Sequence, residues 1–199
     1  LSTVRGVDLA RAFADRKATL FLQTDERSPE MVELVALLAS TSSDVKLTDF
    51  AFSKSFSPTR FAQRAAEELG GLDAVFNLAS VTHADMAAVE TMEEIEDLIV
   101  AKLGPLREIT EVAANRMALT WSEGTILNTI VAAAPQTDRD AAILGMVRQA
   151  LAAMTADLAR RWSGDVVRIN AVGPKATTLD RMSGACLTSE PDIAALALY

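Results

Sequence analysis

The sequence predicts an α/β protein built on a doubly wound parallel sheet, in a single domain spanning 1–199. Three observations carry this expectation. Strand-like and helix-like stretches alternate along the chain, the order of repeated β–α–β units. The strand candidates, among them ATLFL, AVFNLA and GTILNTIVA, are near-continuous apolar runs rather than period-2 patterns, as in strands covered on both faces. No linker, repeat or low-complexity stretch divides the chain.

Each element has a local reason. Residues 6–14 (GVDLARAFA) place apolar side chains at helical spacing. Residues 18–22 (ATLFL) form a short strand that runs into Gln-Thr-Asp-Glu. Ser28-Pro29-Glu30 starts a helix, with serine as N-cap, proline at the first helical position and an acid in the first turn. Residues 45–47 are a brief strand followed by Thr48-Asp49. Ser57-Pro58 repeats the start signal, and Gly70-Gly71 stops that helix. Residues 74–79 are the next strand. The tract 92–117 carries Ile95, Leu98, Ile99, Leu103, Leu106, Ile109, Val112 and Ala113 on one side, and 124–132 (GTILNTIVA) is again a strand. The stretch 141–174 reads as a long helix, a turn at Gly164 and a buried strand ending in Asn-Ala-Val-Gly-Pro. Within 141–161 the polar side chains are only Arg148, Gln149, Thr155, Asp157, Arg160 and Arg161, so this helix is expected to be covered by its sheet and by another subunit. A last helix is expected over 189–199, with Ser189 and Asp192 spaced as a capping pair. Right-handed crossovers between such units give a Rossmann-type three-layer sandwich.

Composition narrows the partners. Half of the residues are hydrophobic, and the net charge is −8 with a pI of about 4.7. That balance argues against a nucleic-acid backbone or an anionic membrane surface. No apolar run free of charges reaches the ~18–20 residues of a membrane span, and no signal-peptide pattern opens the chain. One cysteine, Cys186, and one histidine, His83, leave almost no material for a disulfide or a zinc site, so no metal is expected. The compartment expected by default is the cytoplasm. The chain opens at Leu1 in a helix-like segment and stops in ALALY, so a first and a last strand are expected to be missing from it.

Four pieces, in order, resemble the short-chain dehydrogenase/reductase family. VRINAVGP is similar to its strand ending in Asn-Ala-Val-x-Pro-Gly, and LDAVFNLAS to its strand ending in Asn-Asn-Ala-Gly. GTILNTIVA resembles the strand leading to the family's serine, and EPDIAALAL its Pro-Glu-Asp-Ile-Ala helix. The resemblance implies an NAD- or NADP-dependent oxidoreductase of small carbonyl or alcohol substrates. It also implies a homo-oligomer formed through the helices 92–117 and 141–161.

The family's reaction residues are replaced. The Tyr-x-x-x-Lys pair falls on Leu144 and Arg148, the serine on Val131, and the helix asparagine near Ala101. Leu144 has no proton to give, Val131 cannot bond a carbonyl, and Arg148 carries a guanidinium, a poor proton relay. No catalytic residue is therefore assigned. The Thr-Gly-x-x-x-Gly-x-Gly turn falls on 1–8, where Gly6 survives and Ser2 and Asp8 take the other glycine positions. Asp8 would set a charge beside a pyrophosphate at a cost of ~1 kcal/mol or more, yet it suits the first turn of a helix.

By resemblance, the cofactor-binding candidates are Gly6, Asp25, Asp49, Asn77, Ala79, Arg148 and Pro174. Asp25 stands where the family's ribose-binding acid stands, and also reads as a solvated strand-end acid. Asp49 resembles the aspartate near the adenine. Asn77 and Ala79 match the Asn-x-Ala of Asn-Asn-Ala-Gly, with Ser80 replacing the glycine; Asn77 and Asn170 also read as amides tying strands to loops. His83 is expected in a solvent-facing loop, the run Glu93, Glu94, Glu96 and Asp97 on a wet helix face, and Lys175 at the surface. Only 175–189 separate Pro174 from the last helix, which shortens the lid the family places there.

Two functions follow as expectations. One is a non-catalytic binding or assembly module with a possible small-molecule ligand. The other is an active NAD(P)-dependent oxidoreductase that uses Arg148 as electrophile and water as proton source.

Overall fold

A computed structural model describes residues 1–2, 5–49, 51–52, 56–164, 166–173 and 190–197. Its elements, in chain order, are α1 (Val7–Ala14), β1 (Thr19–Thr24), α2 (Pro29–Thr41), β2 (Asp44–Asp49), α3 (Pro58–Leu69), β3 (Ala74–Val81), α4 (His83–Ala87), α5 (Met92–Thr120), β4 (Gly124–Ala132), α6 (Asp138–Arg161), β5 (Val167–Val172) and α7 (Glu190–Ala197). Every strand pair is parallel. Among the described residues the strands form two sheets, β1–β2 and β3–β4–β5, with no ladder joining β1 to β3.

The two sheets lie between the same two helical layers. Successive side chains of a strand point to opposite faces. On β3, Asn77 bonds Thr110 of α5, while its neighbour Phe76 lies 4.7 Å, centroid to centroid, from Phe13 of α1. Thus α1 and α5 cover opposite faces. On β1 the same alternation sends Phe21 toward Phe61 of α3, at 5.4 Å, and Leu20 and Leu22 into the cluster of Ala10, Ala14 and Leu38 from α1 and α2. Helices α3, α5 and α6 form one layer, and α1, α2 and α7 the other. This is the doubly wound three-layer α/β sandwich.

The core follows from these faces. One cluster joins Ile126, Val167 and Ile169 of the sheet to Ala113, Ala114 and Met117 of α5 and Leu158 of α6. A side-chain carbon added to Gly124 would strike the Met117 thioether, which would have to swing aside, so the start of β4 is closely packed on that sulfur. A second cluster joins Ala79, Val81 and Ile130 to Leu103 and Leu106 of α5 and to Ile143, Leu144, Val147 and Leu151 of α6.

Local signals hold at most boundaries. Ser28 and Ser57 accept from the amides of Met31 and Arg60 and cap α2 and α3, and Gly70 ends α3 at φ 74°. Two differences are physical. His83 lies at the first turn of a short helix, α4, because Thr82 and Asp85 form a reciprocal capping box that a loop reading overlooks. Helix α6 starts at Asp138, ahead of its apolar run, because Thr137 and Asp140 form another such box. Ser189, Lys175, Cys186 and the short lid region lie outside the described residues.

By length and composition alone, α6 meets the test for a membrane-crossing helix. Its Ile143, Leu144, Val147, Leu151 and Leu158 are instead packed in the two core clusters, and a core helix passes the same test.

Candidate functional site

In open parallel sheets, ligands bind beyond the carboxyl ends of the strands. Here those ends fall into two groups, one per sheet.

The first group surrounds β1 and β2. The backbone nitrogen of Leu1 donates to the carbonyl of Gln23 at 2.7 Å, which sets the turn closed by Ser2 and Arg5 beside the end of β1. Ser2 and Arg5 close that turn with paired backbone bonds of 2.8 and 3.3 Å. Gly6 follows at φ 80°, a left-handed conformation that favours glycine, and it caps α1 without a side chain. Among α1 to α6, each of the other helices begins with a Ser or Thr side chain on its first amides. The start of α1 therefore offers amides that no N-cap side chain covers, the arrangement that attracts a phosphate. Asp8 stands in its first turn and opposes that attraction.

Beyond β1, Asp25 is exposed, and so is Asp49 at the end of β2. Arg27 spans the two strand ends: its Nε lies 3.1 Å from the Asp49 carboxylate, and its Nη2 donates to the Asp49 carbonyl at 3.1 Å. The structure thus brings Gly6, Asp25 and Asp49 to one edge of the sheet. Two cations that sequence reading passed over join them. Arg5 has an Nη1 that is buried without a hydrogen-bond partner, and Arg27 is tied to Asp49. Their positions, directly before Gly6 and two residues after Asp25, were the available signal.

The second group surrounds β3, β4 and β5. Asn77 lies in the strand interior, not at its end. Its Nδ2 donates to Asn128 Oδ1 at 2.9 Å and to Thr110 Oγ1 at 3.2 Å, and Thr110 Oγ1 donates to Asn128 Oδ1 at 3.0 Å. This buried triad fastens β3, β4 and α5 together. Asn128 Nδ2 is left buried without a partner. Thr110 and Asn128 carried no sequence signal, because either could have faced solvent.

At the end of β3, Ala79 is buried, and Ser80 is in register with Val131 of β4. Leu144 is 1% exposed and packs with Ala79, Val81, Met86 and Val89. Arg148, one helical turn further, has a buried Nε with no hydrogen-bond partner, and its stem lies against Gly173 at the end of β5. Ala101 is exposed on α5. Pro174 lies outside the described residues.

Around this rim three carboxylates cap helices. Burial pushes the Asp85 carboxyl up, but the Thr82 amide, Lys102 and the Thr82 hydroxyl outweigh it and hold it below its ordinary 3.8. The Lys102 ammonium lies 2.9 Å away. The amides of Glu90 and Thr91, with the Thr91 hydroxyl, hold Glu94 below 4.5. Desolvation pushes Asp140 up, but the amides of Gln136 and Thr137, the Thr137 hydroxyl and nearby His83 together bring it below 3.8. Among the described residues no group of three or more His, Cys, Asp or Glu could hold a metal ion.

The sequence profile described as short chain dehydrogenase matches residues 5–186. No curated protein matches the chain in sequence. Several solved structures match its fold. A metagenomic short-chain oxidoreductase in complex with NADP has a TM-score of 0.72 and 19% identity, over 97% of this chain and 84% of that one. An NADH-dependent reductase complexed with NAD gives 0.69 and 15%, over 98% and 84%. A 3-oxoacyl-[acyl-carrier protein] reductase from Brucella melitensis gives 0.70 and 16%, over 96% and 84%.

Proposed function

The chain belongs to the short-chain dehydrogenase family, and from that premise we propose that it is a divergent member without the family's reaction chemistry, acting as a binding or assembly module. The observation that carries this reading is Leu144. It occupies the family's tyrosine position, is 1% exposed, and is packed among Ala79, Val81 and Met86. A residue there with no proton and no access to solvent cannot serve as a general acid. Val131 and Arg148 complete the replacement.

The dinucleotide reading is kept for the other half. Amides at the start of α1, with Gly6, would hold a pyrophosphate. Asp25 and Asp49 would receive the adenosine, and an arginine near the ribose suits a 2′-phosphate. Ala79, Arg148 and Pro174 would border the nicotinamide side, with Asn77 bracing the strand beneath. NAD or NADP, when bound, supplies hydride transfer; in this chain the residues named would bind and orient it. Asp8 weakens the anion site. Location in the cytoplasm belongs to the same proposal.

The second reading, an active NAD(P)-dependent oxidoreductase of a small carbonyl or alcohol, rests on the uncapped α1 and on Arg148, whose guanidinium would act as electrophile with water as proton source. Calorimetry and thermal shift with millimolar NAD, NADH, NADP and NADPH separate the readings. Binding without turnover of ketones or alcohols is expected. Nucleotide oxidation that Arg148→Gln abolishes would overturn the first reading, and no response to any nucleotide would end the second.

Assembly is proposed through the outer faces of α5 and α6. Between them runs a groove of about 500 Å³ lined by Met92, Ile95, Ile99, Gly145 and Met146. Met92 and Val100 lie exposed on α5. Light scattering at micromolar concentration should report a homo-oligomer, and a monomer would contradict it.

A further inference from the structure

We infer that Arg148 makes the end of β5 a receptor for a small organic carboxylate with an apolar body. This deepens the binding reading above, on which it rests, by naming a ligand class. The guanidinium is unanswered from within the chain. Its Nε is buried and has no hydrogen-bond partner. Among the described residues no salt bridge reaches Arg148, and it makes no further polar contact. Lys102, the other cation of this rim, is by contrast paired with Asp85 at 2.9 Å. A cation desolvated on one side without a counter-charge is costly, and an anion that reaches it relieves the penalty. Arg148 as a whole is half-buried, so it stays reachable from solvent.

The acids around the rim are engaged elsewhere. Asp85 accepts from the Thr82 amide and from Lys102. Glu94 accepts from the amides of Glu90 and Thr91, and Asp140 from those of Gln136 and Thr137. None of the three can swing to Arg148 without breaking the cap of its own helix. Glu96, which lines the α5–α6 groove together with Arg148, is exposed and forms no ion pair with it. The counter-charge therefore has to come from a ligand.

The surround selects that ligand. The stem of Arg148 is seated against Gly173, where an added side-chain carbon would lie 3.4 Å from its Cγ. Leu144 and Leu151 stand a turn to either side on α6, and both are 1% exposed. Ala132, Ala133 and Ala171 are packed on the same apolar cluster. The setting is thus one planar cation in an apolar frame. A carboxylate matches the guanidinium fork with two parallel hydrogen bonds and brings a single charge. A phosphate dianion would bring a second charge that no free cation here answers. An apolar body on the carboxylate adds burial against the alanines.

The test uses the full chain without nucleotide. Benzoate and isobutyrate are compared with their neutral amides and with inorganic phosphate, by calorimetry and by the arginine Nε–H resonances. The Arg148 resonance is the one missing from Arg148→Lys. Both carboxylates should bind saturably and move that resonance downfield in the unaltered chain, and the amides should do neither. Arg148→Lys and Arg148→Gln, with backbone amide spectra otherwise preserved, should weaken benzoate about tenfold or more. The proposal is overturned by equal binding of acids and amides, by tighter binding of phosphate, or by a shift confined to another arginine. Lack of saturable binding, or benzoate affinity unchanged in both variants, also overturns it. Turnover of nucleotide found separately would sink the non-catalytic reading alone, whereas failure here leaves the nucleotide titrations as they stand.

Discussion

The carboxyl ends of β1 and β2 carry exposed charged side chains, Asp25, Arg27 and Asp49, whereas those of β3 and β4 close into an apolar cluster with Ala79, Val81, Ile130 and Leu144. Both regions occupy the same place in a doubly wound fold. In the first, side chains are free to change with little effect on the core beneath. In the second, Leu144 and its neighbours are part of the core. Under the proposed reading, one edge of the scaffold keeps the means of binding a polar ligand while its neighbour gives up reactivity for packing.

Mutations sharpen the contrast, the largest effect first. Leu151 is buried in the second region, and Leu151→Ala should cost about 2–5 kcal/mol, read by urea denaturation. Leu22→Ala, half-buried in the first, should cost clearly less; equal losses would erase the distinction. Restoring the family residue by Leu144→Tyr should lower stability by about 1–3 kcal/mol through overpacking and yield no nucleotide oxidation. A stable, active Leu144→Tyr would show the second region to be a site after all. Asn77→Leu should cost about 1–3 kcal/mol, because Thr110 and Asn128 lose a shared donor in a buried setting.

A pH series tests the rim. A carboxyl whose folded pKa is depressed stabilises fully above its unfolded value and loses that stabilisation as pH falls through the folded value. Lys102→Met should therefore destabilise near neutrality, with a deficit that shrinks as pH drops below the ordinary 3.8 of Asp85. A deficit independent of pH would show that Lys102 acts through packing alone. The smallest effect is expected from Arg27→Gln: the exposed pair with Asp49 should contribute under about 1 kcal/mol, visible as a near-unchanged Tm. If that variant shifts the preference between NADP and NAD in calorimetry, the polar end is a nucleotide site.

Most of the architecture was legible because its causes are local. Ser28-Pro29 and Ser57-Pro58 cap helices wherever they fold, and GTILNTIVA is apolar on both faces and becomes the central strand of its sheet. The proposed replacement of the reactive residues by Val131, Leu144 and Arg148 rests on the sequence pattern alone. What could not be read depends on distance through space. Thr110 lies 33 positions from Asn77, and their pairing needs the packed α5. Arg27 gains meaning only when β2 brings Asp49 alongside.

The contact of Gly124 with Met117 couples two sites of the sequence. A side chain at 124 would meet the Met117 thioether, the far end of a flexible side chain, so it is accommodated only if that sulfur swings aside or a smaller residue stands at 117. A shortened residue at 117 leaves a hole that an alanine at 124 then fills. Across diverged copies of this chain the two positions should therefore vary together, so a residue of α5 bears on what β4 can carry.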